Sequence, residues 1–345
     1  MIELDGYEAS LKRVLGADFG GWGTAEVDDA LTTLRWRREP GTGTVMSDSG
    51  DVGSVECVED NRVLALRIVV LDDCGDRVRA DSGGWHRLVE CTAHVLGTDP
   101  QVIGGCGFGA GPFAWWRNPT MSDTNTVSVQ VREDRFEFAV WSTEYFENQW
   151  SQYVEWGDGP YDPDWVPSWL QLGPDPAGHL DDLYLPGSRV VTNWPDFESA
   201  LADMLVALIR DLRIMDAKAF VLLKPTKRPA RLARIDIGSG EVFRAERIVR
   251  RGMDLGAMAA LGWSNRDTDR IPNWLWSEFG TDADGVRTAV TQVCSTLRDE
   301  GVRLPQDGLD DDGDALTYSA GVQPDRERNF ARIELYGAHL LPNRQ

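Results

Sequence analysis

His86, Glu90 and His94 stand four residues apart, which places all three on one side of a helix and raises the question of a metal ion. At 1.5 Å of rise per residue the two imidazoles start about 12 Å apart along the axis. Adjacent members could share an ion, but a site needs further converging ligands and the sequence offers none nearby, so metal binding is not expected. The glycines of Gly105-Cys-Gly-Phe-Gly-Ala-Gly111 invite a phosphate-cradle reading. They lack the Gly-Lys-Ser/Thr ending and a following helix, and are better read as a connection between two strands. Asp307–Asp314 has a glycine where a calcium loop needs a ligand, and no glutamate at the closing position. With four histidines, no GxSxG and no HExxH, no catalytic residue, cofactor or metal is assigned.

The elements that would hold such groups follow from periodicity. Val27, Leu31 and Leu34 define a helix after Thr24, and Trp85, Leu88, Val89, Cys91 and Val95 another over 81–96, closed by Gly97. Residues 62–71 form a strand. TVSVQVR (126–132) and RFEFAVW (135–141) alternate with period two around Glu133-Asp134, an antiparallel hairpin. Later, Phe197, Leu201, Met204, Leu205, Leu208 and Leu212 give a long helix starting near Pro195. Strands follow over 218–223, 232–237 and 241–249, then a short helix near 255–261, a helix carrying Val286, Val290, Val293 and Leu297, and late strands over 316–322 and 331–336. This order predicts an α+β fold of two domains, each an antiparallel sheet with helices packed on one face. The expected boundaries are 1–141, a connecting segment 142–190, and 191–345. The connecting segment holds nine acids, no Lys or Arg before Arg189, and Trp150, Trp156, Trp165 and Trp169; its prolines and glycines after Gly157 predict an irregular path.

The net charge of −21 and the lack of an evident basic stripe argue against nucleic acid and for a basic protein or extended-peptide partner. No apolar run is long enough for a membrane span, and residues 1–16 do not read as a signal peptide. Five cysteines without CxxC spacing fit a reducing compartment, so a cytoplasmic location is expected, with a homodimer compatible. Tyr and Trp dominate protein interfaces, and carboxylates around them would attract a basic partner. The expected contact residues are therefore Trp150, Trp156, Trp165, Trp169, Asp162 and Asp164 in the connecting segment.

A second tryptophan cluster, Trp263, Trp274 and Trp276, occupies the stretch Leu261–Gly280. Its LGW, polar insertion and PNW, followed by an Asp-rich turn and a helix ending TLRD, resemble the actinobacterial TY-Chap domains, named for similarity to type III secretion chaperones and YbjN-like proteins. Trp194 opening a long helix and the strands AFVLLK and EVFRAERIV extend the resemblance over roughly residues 190–310; the strand 232–237 is richer in arginine than in those domains. The N-terminal part is more weakly similar to an uncharacterised actinobacterial domain family. The TY-Chap resemblance implies a sheet-and-helix fold and a non-enzymatic role: chaperone-like or immunity-type binding of a secreted effector's extended segment in a bacterium. It carries no established binding residues. Trp263 and Trp274 are expected to pin the loop to the sheet, and Trp276 to make a semi-exposed contact. An enzyme with an inter-domain, metal-dependent site and a structural scaffold are the alternative expectations.

Overall fold

Six helices and seventeen strands form among the described residues of the computed structural model. The structure describes residues 4–40, 42–48, 52–58, 62–70, 82–106, 110–117, 125–132, 135–144, 146, 167–173, 191–228, 232–249, 251–265, 274–304, 314–323 and 331–335. The fold is α+β, with two antiparallel sheets. The chain divides into two compact units, residues 1–166 with 172–187, and residues 167–171 with 188–345. The segment expected to be an irregular connection therefore contributes a strand to the second unit.

The first unit contains α1 (Leu4–Leu15), α2 (Thr24–Thr33), β1 (Trp36–Arg38), β2 (Thr44–Ser47), β3 (Val52–Val58), β4 (Arg62–Val69), α3 (Ser82–Leu96), β5 (Val102–Cys106), β6 (Ala110–Arg117), β7 (Asn125–Arg132) and β8 (Arg135–Ser142). Its strands pair antiparallel in the order β1-β2-β3-β4-β8-β7-β6-β5. Helices cover one face. Tyr7 of α1 meets Phe138 edge-on at 5.4 Å, and its hydroxyl hydrogen-bonds Thr92 of α3 at 2.6 Å. Trp22 takes a left-handed φ of 63°, costly for a side chain of its size, and is held there by stacking on Phe19 and by its indole N–H donating to buried Asn125. The helix α3 buries Trp85, Leu88, Thr92 and Leu96, and Gly97 ends it at φ 72°.

The opposite face of this sheet departs from expectation. A strand alternating apolar and polar residues is expected to turn its polar set to water, yet Ser128 and Glu137 are buried, as are Arg67, Thr126 and Thr143. Arg67 accounts for much of this: its guanidinium lies 4.3 Å from the Trp141 ring and bonds Glu56 at 2.7 Å, with Glu137 3.9 Å away. Trp141 donates to Ser128 at 2.7 Å, and Phe146 packs edge-on against both Trp115 and Trp141. The polar alternates thus form a second, hydrogen-bonded core layer.

The second unit contains most of β9 (Pro167–Leu172), then α4 (Trp194–Met215), β10 (Lys218–Pro225), β11 (Ala233–Ile237), β12 (Val242–Ile248), α5 (Leu255–Ala260), β13 (Ser264–Asn265), β14 (Trp274–Gly280), α6 (Ala283–Asp299), β15 (Val302–Arg303), β16 (Asp314–Gln323) and β17 (Ala331–Leu335). The antiparallel order is β9-β17-β16-β10-β11-β12-β14-β13, with β15 a two-residue parallel addition to β16. Asn193 caps α4 by accepting from the Asp196 N–H at 3.0 Å, with Pro195 in the first turn where no N–H is needed. Asp282 caps α6 through the Gly285 N–H at 2.7 Å. The two helices pack together and α6 packs on β14, burying Leu201, Leu205, Leu208 and Leu212 with Val286, Val290, Val293 and Leu297.

Gly285 fixes how closely α6 meets the end of β14. A Cβ there would lie 2.2 Å from the Gly280 carbonyl oxygen, a backbone atom that cannot swing aside. Replacing an interior helical glycine by alanine ordinarily stabilises by about 1 kcal/mol. Here Gly285→Ala should instead destabilise, lowering the urea midpoint at unchanged slope; a midpoint that rises would show that the close approach is absent.

Candidate functional site

One face of the second unit's sheet carries the candidate site. Ala219, Val221 and Leu223 of β10, Ile235 and Ile237 of β11, Phe243 and Ala245 of β12, and Leu275 and Phe279 of β14 are buried on the inner face. Their alternates point the other way and stay half-exposed or exposed: Lys218, Phe220, Leu222 and Lys224 on β10, Arg234 and Asp236 on β11, Val242, Arg244 and Glu246 on β12, Trp274, Trp276 and Glu278 on β14. Val242, the first residue of β12, is 55 % exposed.

Registry sets what meets what on this outer face. Leu222, Arg234, Glu246, Trp276 and Ser264 lie in one cross-strand row. Phe220, Asp236, Arg244 and Glu278 form the next. The Phe220 ring lies over Gly321 of β16, where an added Cβ would come within 2.8 Å of it. Arg234 sits 5.0 Å from the centre of Phe220 and grips Asp236 at 2.6 Å; Arg244 sits 5.2 Å from the centre of Trp276 and bonds Glu278 at 2.9 Å. Each guanidinium is thus held by a carboxylate beneath or beside a ring, which makes the aromatic surface rigid while leaving it wet. Partial burial, reinforced by Asp236, raises the Glu246 carboxyl above its ordinary value, against the pull of Arg234 and Arg244.

Of the expected contact residues, Trp276 lies on this face, half-exposed. Trp169 does not belong with it. Its ring on β9 is fully buried and its indole N–H donates to Asp211 of α4 at 2.8 Å, so its placement among the partner-contact residues is corrected: it docks a strand to a helix. Trp150, Trp156, Trp165, Asp162 and Asp164 lie outside the described residues. Trp263 is buried, donating to Thr296 of α6 at 3.0 Å, with Arg247 5.7 Å from its ring. Arg247 is itself 2 % exposed and pairs with Glu300 at 2.7 Å. Trp274 is half-buried. On α3, His86 is half-buried while Glu90 and His94 are exposed, and no metal-binding cluster of His, Cys, Asp or Glu occurs among the described residues. Cys294 is buried, which pushes its thiol up and leaves it a poor nucleophile.

Sequence reasoning missed Phe220, Arg234, Arg244 and Glu246, because period-two alternation marks two faces without telling which is covered. A local signal was present. Residues 218–251 carry ten basic and three acidic side chains, although the chain as a whole has 35 and 56. Lys218, Lys224, Arg234 and Arg244 lie on the outer face of three neighbouring strands, interleaved with Asp236 and Glu246. Set against protein-family models, curated proteins and solved structures, the chain matches none.

Two measurements check this geometry. Trp263→Ala should cost about 3–5 kcal/mol, as for large buried aromatics, and Trp276→Ala about 1 kcal/mol or less, as for surface positions; equal losses in urea melts would remove the division into core and face. Burial pushes the Asp211 carboxyl up to about 7, opposed by Arg210 and the Trp169 hydrogen bond. That lies above the unfolded value of about 4, so the native state holds a proton that the unfolded chain has lost. Asp211 then contributes stability that is complete near pH 4 and is lost as pH rises to about 7, with a slope of up to about 1.4 kcal/mol per pH unit. Asp211→Asn should flatten that slope in urea melts from about pH 5 to 7; an unchanged slope would assign it elsewhere.

Proposed function

We propose that the protein is a non-enzymatic polypeptide-binding module, chaperone-like or immunity-type, that engages an extended segment of a bacterial effector on the outer face of its second unit. The observation that carries the reading is the half-exposed Phe220 and Leu222 on β10 and Trp276 on β14, with Arg234 beside Phe220 and Arg244 beside Trp276, on a sheet whose opposite face is buried. Rigid aromatic side chains give contact area at little entropic cost, and arginine beside them adds directional hydrogen bonding; these residue types dominate binding hot spots. Half-buried apolar rows flanked by charge tolerate water in the free protein and still gain from its exclusion. The likeness of the LGW and PNW motifs to TY-Chap domains supports the same reading from the sequence. No helix among the described residues is long and apolar enough to cross a membrane.

A photo-crosslinking amino acid placed at Trp276, and separately at exposed Arg287 of α6, tests the face. A discrete polypeptide adduct in host cells is expected from position 276 and not from 287. Adducts of equal yield from both positions, or none from either, would refute the assignment.

A further inference from the structure

The charge of the outer face runs against that of the chain. Among the described outward-facing residues of β10, β11, β12, β14 and β17, Lys218, Lys224, Arg234, Arg244 and Arg332 stand against Asp236, Glu246 and Glu278. Lys227 and Arg228 extend the cationic side just beyond β10, both exposed. Three of the four lysines in the chain lie within ten residues of one another here. Outside residues 218–251 the chain carries 25 basic and 53 acidic side chains, so an anionic ligand is repelled by most of the protein and received at this face.

The spacing along β10 narrows the ligand. Lys218 and Lys224 are both exposed, share the outward parity and are six residues apart, about 20 Å at the rise of a strand. Between them on the same side lie Phe220 and Leu222, half-exposed. A peptide in extended conformation shows alternate side chains to one side with the same repeat. An acid, two apolar residues at alternate positions and a second acid six residues after the first would meet Lys218, Phe220, Leu222 and Lys224 in step. Single-stranded nucleic acid also pairs anionic charge with flat apolar groups, but it binds by stacking bases on open rings. Here Arg234 and Arg244 already lie by the rings of Phe220 and Trp276, each tied to a carboxylate on the same face.

We propose that the outer face of β10–β12 receives an extended acidic polypeptide segment in which acids flank alternating apolar residues. This rests on the polypeptide-binding reading of the same face, and replaces the basic partner that the overall charge implies with an acidic one.

The test uses the full chain and fluorescence anisotropy of labelled, end-blocked peptides: Glu-Thr-Val-Thr-Val-Thr-Glu, its lysine-ended counterpart, and oligouridine. The acidic peptide is expected to bind saturably, more weakly as salt is raised, because exposed charge pairs are screened. Lys218→Glu combined with Lys224→Glu should weaken it at least tenfold with an unchanged far-ultraviolet spectrum, while Lys12→Glu in the first unit should leave it unaltered. Equal or tighter binding of the lysine-ended peptide would overturn the acidic assignment and leave the polypeptide reading standing. Binding of oligouridine with neither peptide bound would overturn both. Failure of the acidic peptide to bind at millimolar concentration, or binding indifferent to the double charge reversal, would overturn the inference alone.

Discussion

Two packed helices offer one apolar slab, and a sheet has two sides. In the second unit α4 and α6 turn their leucine and valine stripes to a common core with the inner residues of β10, β11, β12 and β14. Everything on the other side of those strands must then be acceptable to water, because the outward residues stay half-exposed or exposed. The solution is visible residue by residue: carboxylates hold guanidinium groups beside Phe220 and Trp276, and lysines stand at both ends of β10. A face built this way is stable without a cover and well suited to acquiring one.

The first unit meets the same geometric problem differently. Both sides of β4, β7 and β8 are buried, and the polar alternates are absorbed by mutual hydrogen bonds around Arg67 and Trp141. Burying an arginine is tolerable when carboxylates and an aromatic ring surround it; removing one partner would strand the charge, which is the costly event for such groups. The two units therefore show that identical period-two patterning can lead to a wet face or to a second core layer.

That ambiguity explains what was legible in the sequence. Helices with clear caps and stripes, such as Trp194–Met215 and Ala283–Asp299, follow from local chemistry, and so does the hairpin of β7 and β8. The α+β class follows from their order. Tyr7, Leu11, Val14 and Leu15 give α1 the same kind of stripe, unread in the sequence, whereas the short strands β1 and β2 are fixed by the neighbours they pair with. Trp169 sits in a stretch rich in proline, glycine and acids, and nothing local foretells that Asp211, in a helix 42 residues later, waits for its indole N–H. The site was partly legible: Trp276 stood out by type, whereas its companions on β10, β11 and β12 are brought to it by registry alone.

The short strand β9 also orders events in time. Leu170 and Trp169 pair with Glu334 and Leu335, and Trp169 anchors to α4. On a ribosome, Trp169 emerges 166 residues before Leu335, so the strand is made long before the edge it will extend exists. The unit's most separated contacts are consequently its last to form, a topology that slows folding through loop closure. A nascent chain halted before β17 would leave the edge of β9 that β17 covers unpaired, the kind of surface that quality-control machinery recognises.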